Sequence, residues 1–285
     1  MAEVEEKEQA GKHEPDEKEE PSAPRVPKAG TRFSTEEIHD LVSEAAQDEL
    51  ERPASELVWS SLASGLVIGF SFLAVAFVTS LVSPEMHTAA TAVAYPLGFI
   101  FVVNARHQLF TENTLEPVIP VLERRDRETL GKLLRLWAIV LPLNLLGTLI
   151  FAWALGHTEV VEPKLLTPLL DAARASTDSS AQLTFYKAIW AGWLIALMAW
   201  LIASTRNTMA QLVLVWLTTA PIAAFGFKHS IAGATEAFYR AIVGDATWSE
   251  MIFRFEIPAI LGNIVGGVVL VAMLNHGQVS KARAS

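Results

Sequence analysis

Long apolar segments separated by short polar ones fill the chain from residue 57 onward. The uncharged run over 57–82 is long enough to cross the hydrocarbon layer of a bilayer, which is about 30 Å thick. Further apolar segments lie at 136–155, 183–203 and 255–274. Two others, 88–122 and 207–242, are interrupted near their middle by polar residues. The pattern predicts an all-α integral membrane protein, a bundle of six transmembrane helices in which spans 2 and 5 are broken.

The chain before the first span has a different character. Residues 1–32 are rich in Glu, Lys and Pro with few large apolar side chains, which predicts a disordered acidic tail. Residues 33–56 are predicted to form an amphipathic helix on the cytoplasmic side of the protein. Ser34 and Glu37 match a capping box. Apolar residues then recur at helical spacing, at Ile38, Leu41, Val42 and Ala45.

The two halves of the apolar region resemble each other. Each contains a plain span, a broken span and a span with an Asn-Gly motif, which is built around Asn144 in the first half and Asn263 in the second. Because each half has an odd number of spans, the second half crosses the membrane in the opposite orientation to the first, and the two halves form an inverted repeat. Breaks at matching positions of such a repeat indicate a central translocation site. We expect both asparagines to bond exposed backbone at the helix breaks, and Gly226 to loosen the second break.

Basic residues are distributed unevenly among the predicted loops. With a cytoplasmic N-terminus, the inner loops hold Arg124, Arg125, Arg127, Lys132, Arg135, Arg206, Lys281 and Arg283. The outer loops then hold Lys164, Arg174, Arg240 and Arg254. This excess on the inside predicts a multi-pass protein with both termini in the cytoplasm. Residues 57–276 would form the channel domain, and 277–285 a short cytoplasmic C-terminal tail.

The composition narrows the possible chemistry. The formal net charge of −9 comes from the N-terminal region, since residues 1–56 hold 17 Asp and Glu against 7 Lys and Arg. The absence of cysteine excludes disulfides, thiolate catalysis and Cys-based metal sites. We find no metal, phosphate-loop or nucleophile-base motif, so no cofactor and no metal are expected. Basic residues scattered over loops predict no nucleic-acid binding.

The two breaks hold the candidate functional residues. Ionisable side chains inside apolar spans cost roughly 2.5–3.5 kcal/mol each, so Lys228 and His229 in the second break are the first candidates. Thr111 and Asn113 in the first break offer uncharged hydrogen-bonding groups at a corresponding depth, with loop capping as the alternative. Apolar residues near the breaks are predicted either to constrict a pore or to form bundle core: Tyr95, Phe99, Leu109, Phe110 and Ile222.

Three stretches together carry a family resemblance. They are Gly-Phe-Lys-His-Ser-Ile-Ala at 226–232, Ile-Pro-Ala-Ile-Leu-Gly-Asn-Ile-Val-Gly-Gly at 257–267 and Leu-Phe-Thr at 109–111. In this order and spacing, the chain over about 55–275 resembles the formate/nitrite transporter family. The resemblance implies an aquaporin-like protomer of six spans, assembled in the bacterial inner membrane as a homopentamer with one pore per subunit.

The resemblance also implies a transport function. Its partners would be small monovalent anions such as formate, nitrite or hydrosulfide, together with protons and membrane lipid. The position of His229 corresponds to the central pore histidine, which is implied to pass a proton to the anion, and Thr111 corresponds to the threonine that faces it.

Three positions depart from the family pattern. Lys228 replaces the acidic residue that usually precedes the histidine, Ser180 lies near the position of a connector lysine, and Ala196 occupies the position of an asparagine in the fourth span. We expect Lys228 to replace the connector lysine as the cation that attracts the anion. A unit charge at ~5 Å, in an effective dielectric of ~20, contributes roughly 3 kcal/mol.

Two other functions fit the same pattern of spans. One is a neutral-solute channel on this architecture, against which the absence of paired Asn-Pro-Ala motifs counts. The other is a membrane scaffold or sensor that acts through the N-terminal helix. An enzyme is the weakest alternative, because no second catalytic group pairs with His229 in the sequence.

Overall fold

The computed structural model describes residues 33–269 together with Leu274 and Gly277. The described part of the chain contains helices, turns and no strands, which confirms the all-α prediction. The predicted tail over 1–32, part of the end of the sixth span and the C-terminal tail beyond Gly277 lie outside the described residues.

Four helical segments of the described chain are long and apolar enough to cross a membrane. The first is α2 (Ala54–Thr79). The second runs over Pro84–Asn104 and includes α3 (His87–Ala94) and α4 (Pro96–Asn104). The third and fourth are α6 (Arg127–His157) and α8 (Ala181–Ala203). Apolar side chains on their outer surfaces, such as Trp59 and Trp153, are exposed as a lipid-facing surface requires.

The remaining helices flank the breaks or connect the spans. The first break separates α4 from α5 (Val118–Arg124). The second break separates α9 (Thr208–Ala224) from α10 (Ser230–Ile242). Before α8, the connector forms α7 (Leu166–Thr177). The last helical segment starts at α11 (Trp248–Glu250), passes through a π-helical turn over Met251–Glu256 and continues as α12 (Ile257–Gly267).

The N-terminal helix α1 (Thr35–Glu51) begins with both hydrogen bonds of the capping box. It packs on α5, α6 and α8. Its buried face differs from the predicted one by about one position, and contains His39, Val42, Ser43, Ala46 and Leu50. Ala45, predicted on that face, is exposed. The helix ends before Pro53, so residues 54–56 belong to the first span instead of the predicted 33–56 helix.

Small residues bring the spans of each half into close contact. A side chain at Gly65 of α2 would overlap the backbone of Asn144 in α6, and one at Gly192 of α8 would overlap the backbone of Asn263 in α12. Helices approach this closely only where side chains are absent or small. The pairs α2–α6 and α8–α12 therefore form two equivalent frames, one for each predicted repeat.

The connector between α6 and α8 is tied to α10 by a charged cluster. Asp245 accepts hydrogen bonds from Arg174 Nε (2.9 Å) and Arg240 Nε (2.7 Å). The hydrogen bonds from Arg174, followed by those from Arg240, hold the pKa of Asp245 below its ordinary value. Arg240 also donates from Nη1 to Thr177 Oγ1 (2.9 Å), and is buried in α10 instead of lying in the predicted interfacial loop.

Candidate functional site

The two helix breaks have the same backbone geometry. At the first, the N–H of His107 donates to the carbonyl oxygen of Val102 (3.0 Å); at the second, the N–H of Phe227 donates to that of Ile222 (2.8 Å). Both turns need a residue in the left-handed region, which is Arg106 (φ 53°) in one and Gly226 (φ 64°) in the other. These are helix C-terminal turns in which long-range backbone bonds satisfy the last carbonyls.

Asn144 holds the first break against its own half. Its Nδ2 donates to the carbonyl oxygens of Ser61 (2.8 Å) and Gln108 (2.9 Å). Its Oδ1 accepts the N–H of Phe110 (2.8 Å). One buried side chain thus satisfies two backbone groups that the interrupted helix leaves without a partner, and ties the break to the backbone of α2.

Asn263 makes the equivalent set of bonds in the second half. Its Nδ2 donates to the carbonyl oxygens of Ala188 (2.8 Å) and Lys228 (2.9 Å). Its Oδ1 accepts the N–H of Ser230 (2.8 Å). The matching bonds align the two breaks residue by residue and make Leu109 the structural counterpart of His229.

His229 is the N-cap of α10 and lies between the two breaks. Its Nδ1 accepts the N–H of Ala232 (3.1 Å), and its Nε2 lies 2.8 Å from Oγ1 of Thr111. The ring of Phe99 meets the imidazole edge to face, with centroids 5.0 Å apart. Since Nδ1 serves as an acceptor, the neutral ring carries its proton on Nε2, and this N–H donates a hydrogen bond to Oγ1 of Thr111. His229 and Thr111 are both buried.

The other predicted pore residues surround this contact in different ways. Asn113 is buried, but its Nδ2 donates to Oε1 of Gln108 (3.1 Å) and its carbonyl oxygen accepts from Trp137 Nε1 (3.0 Å). The structure therefore brings Thr111, and not Asn113, to His229. The apolar candidates are all buried: Tyr95, Phe99, Leu109, Phe110 and Ile222.

A cavity of about 570 Å³ reaches His229 from one side. Residues of α3, α7, α9 and α10 line it, and Lys228 and His229 contribute from the second break. On the predicted topology this is the outer side, because the cavity includes part of the connector between the third and fourth spans. The connector, which the sequence predicts to be polar with a short helix after Pro163, thus forms one wall of the cavity.

Lys228 faces this cavity but its ammonium is already engaged. The side chain is only 4% exposed, and its Nζ donates to the carbonyl oxygen of Ser176 in α7. The carboxyl group of Glu236, which is 5% exposed and lines the same cavity, interacts electrostatically with Lys228 and with the hydroxyl of Ser176. Lys228 therefore contributes less net positive charge than the sequence suggested.

Sequence reasoning missed Glu236. The signal was its spacing, because Glu236 follows His229 by seven residues and Gly233 by three, which places all three on one face of α10. Sequence reasoning also missed Ser176, which lines the cavity from α7. No local pattern in the sequence shows that this part of the connector packs against α10. Within the described ranges, no group of three or more His, Asp or Glu is placed to hold a metal ion.

Similarity to known proteins extends over almost the whole described chain. The profile of the formate/nitrite transporter family matches residues 36–277. The chain is 35% identical over 243 residues to the inner membrane protein YfdC of Escherichia coli strain K12, covering 85% of this chain and 78% of that protein. It is 30% identical over 208 residues to the formate channel FocA of the same strain, covering 64% and 70% respectively.

The fold is likewise similar to a solved structure. The match is to a pentameric formate channel with formate bound, with a TM-score of 0.68 and 22% identity, over 80% of this chain and 98% of that one. This match establishes a shared fold for the bundle and its breaks.

Proposed function

Since this chain belongs to the formate/nitrite transporter family, we propose that it carries small monovalent anions of weak acids across the bacterial cytoplasmic membrane. The observation that carries the proposal is the hydrogen bond between His229 and Thr111. It joins the two breaks at the end of a cavity, with apolar residues around it.

The surroundings of this contact favour neutral species. Phe99 and Leu109 are fully buried beside the polar pair, so a bare anion would lose its water there without equal compensation. A weak acid avoids much of that cost by crossing in its protonated form. The Nε2–H of His229 and the hydroxyl of Thr111 can then hydrogen-bond the passing species in place of water.

The bonds of His229 also bear on whether the ring donates a proton. A doubly protonated ring would place Nδ1–H against the N–H of Ala232 and break the cap of α10. The cap therefore supports a neutral ring that donates a hydrogen bond, and proton donation from His229 requires α10 to give up this bond.

We extend the proposal to assembly and location. The likeness to a pentameric formate channel supports a homopentamer, and the relative named as an inner membrane protein supports that location. Both termini are proposed to be cytoplasmic. Because the chain has no cysteine, a single cysteine introduced at either end can be labelled from one side of intact cells without background from other positions of this chain.

Flux into proteoliposomes tests the proposed function. Formate, nitrite, nitrate, chloride and hydrosulfide are compared in the wild type, with anions of weak acids expected to pass faster than chloride. His229→Asn keeps an N-cap acceptor but removes the ring, and His229→Ala removes both. We expect both variants and Lys228→Glu to reduce anion flux.

Three results would count against the proposal. Unchanged anion flux in His229→Ala and Lys228→Glu would remove the proposed roles of both residues. Water or glycerol flux that is insensitive to Lys228, without anion flux, would favour the neutral-solute channel. No flux of any solute through folded protein would favour the scaffold or sensor.

A further inference from the structure

One face of α10 lines the outer cavity. His229, Gly233 and Glu236 succeed one another along this face and all border the cavity. Seven residues of helix place Glu236 about 10 Å further along the axis than His229. Gly233 leaves the wall between them free of a side chain. A molecule that enters the cavity towards His229 therefore passes the carboxyl group of Glu236.

The charged and titratable groups around Glu236 come from several elements. From the second break Lys228 acts on it, and from the end of α3 Tyr95 does so. From α7, Ser176 interacts with it, and the exposed Asp171 borders the cavity. From α8, Lys187 acts on Lys228.

Lys228 interacts electrostatically with Glu236 and can stabilise its carboxylate without forming a direct ion pair. In the part of the chain that the structure describes, no ion pair within 4.0 Å joins Lys228 to Glu236. The ammonium donates instead to the carbonyl oxygen of Ser176. The carboxyl group thus has a nearby cation when it is charged and a neutral form that needs no ionic contact.

His229 and Glu236, the two titratable groups on this face of α10, differ in whether a change of protonation breaks a hydrogen bond that caps the helix. An added proton on His229 removes the hydrogen bond that caps α10. A proton on Glu236 removes no helix cap, because the residue lies in the interior of α10. Glu236 is therefore the better suited of the two to exchange a proton with a molecule in the cavity.

We propose that Glu236 is the proton-exchange site of the outer cavity. The O–H bond of its carboxyl group breaks and a new O–H bond forms on the incoming weak-acid anion, so that a neutral acid and a Glu236 carboxylate result. Lys228 stabilises this carboxylate, and a proton taken up from the external solution through water in the cavity restores the carboxyl group. Each anion then moves with one proton.

The proposal defines a substrate class and rests on the proposed function. Proton exchange with a carboxyl group is best matched to anions of acids about as weak as a carboxylic acid, because burial in the same cavity disfavours both carboxylates. Formate and nitrite belong to this class. Chloride, the anion of a strong acid, cannot accept the proton and is excluded at this step.

The test compares Glu236→Gln with the wild type in proteoliposomes that contain a pH-sensitive dye. Formate flux and proton influx are measured together over a range of external pH. We expect Glu236→Gln to lower proton-coupled formate flux by about tenfold or more, as for loss of a general acid, and to flatten its pH dependence. Asp178→Asn, which removes an exposed carboxylate at the end of α7, serves as the matched control and should behave like the wild type.

A second measurement does not depend on flux. Infrared difference spectra on addition of formate should show loss of a protonated carboxyl band in the wild type and in Asp178→Asn, but not in Glu236→Gln. Glu236→Asp should retain part of the coupling if the carboxyl group is what matters. Should Glu236→Gln fail to fold, the wild-type spectrum and Glu236→Asp still decide the matter.

The possible outcomes separate this proposal from the proposed function. Wild-type flux with unchanged coupling in folded Glu236→Gln overturns the role of Glu236 alone. A wild-type spectrum without any carboxyl change on formate binding does the same. Absence of flux for every anion in the wild type overturns the proposed function, and this proposal with it.

Discussion

Asn144 and Asn263 show how a single side chain supports a break in a membrane helix. Each joins the backbone of its break to the preceding span of the same half through three hydrogen bonds of 2.8–2.9 Å. Both are fully buried, so water is not available as a substitute partner. At the level of single residues, the two halves are therefore related by the same three hydrogen bonds, made by Asn144 in one half and by Asn263 in the other.

Replacement of either asparagine by alanine should destabilise the protein. Asn263→Ala removes the side-chain partner of the N–H of Ser230 and of the carbonyl oxygen of Lys228 at the break, at a cost of about 1–3 kcal/mol for each group that stays dry. Asn144→Ala should show a similar loss. Thermal unfolding in detergent measures it, with the exposed Asn104→Ala as control. An unchanged midpoint in both variants would show that other groups or water replace these bonds.

At the scale of elements, glycine determines how closely the helices of each frame pack. Gly192 of α8 lies directly against the backbone of Asn263, so it also determines where that side chain sits. In α6, Gly131 has no atom within 4 Å of the position that a side chain would take. The two glycines lie in long spanning helices but have opposite surroundings.

Alanine at these two positions should therefore act in opposite directions. Gly192→Ala forces α8 and α12 apart, with a loss of about 1–3 kcal/mol of stability and reduced anion flux, because Asn263 moves with α12. Gly131→Ala should stabilise α6 by up to about 1 kcal/mol and leave flux unchanged. Unfolding midpoints and formate flux of the two variants check this. Equal midpoints would contradict the close packing of α8 on α12.

At the scale of the whole molecule, the N-terminal helix α1 packs on one end of the bundle of spans and contributes no residue to the cavity. Helix α1 contacts α5, α6 and α8, and its Glu49 reaches Gln108 next to the first break. Burial raises the pKa of Glu49 above its ordinary value. The helix therefore adds to the stability of the bundle near the first break, while no residue of α1 lines the cavity that reaches His229.

Two truncations separate the contribution of α1 from that of the chain before it. Removal of residues 1–32 should leave both the unfolding midpoint and anion flux unchanged. Removal of residues 1–52 exposes the surface covered by Val42 and Leu50, and should lower the midpoint by about 2–4 °C for each kcal/mol lost. Flux through the folded protein should persist. Loss of flux without loss of folding would make α1 part of the transport mechanism.

Several features of the fold followed from the sequence alone. The apolar segments had to be long enough to cross the hydrocarbon layer, so their lengths gave the spans at 54–79 and 181–203 within a few residues. The third span was predicted to start at 136, but α6 begins nine residues earlier, at Arg127, because the basic stretch before the apolar run is also helical. Polar residues in such segments are costly, so the two breaks were visible as interruptions. The start of α1 followed from the capping box at Ser34 and Glu37.

Only the tertiary structure decided which residues meet. Thr111 and His229 are 118 residues apart in the chain. The family resemblance named Thr111 as the residue that faces His229, but hydropathy and spacing alone do not distinguish Thr111 from Asn113. Glu236 and Lys228 border the same cavity only because α7 and α10 pack together and enclose both side chains. Hydropathy measures the cost of placing a residue in the membrane. Charge compensation and hydrogen-bond pairing depend instead on distances between side chains of different helices, which only the folded bundle sets.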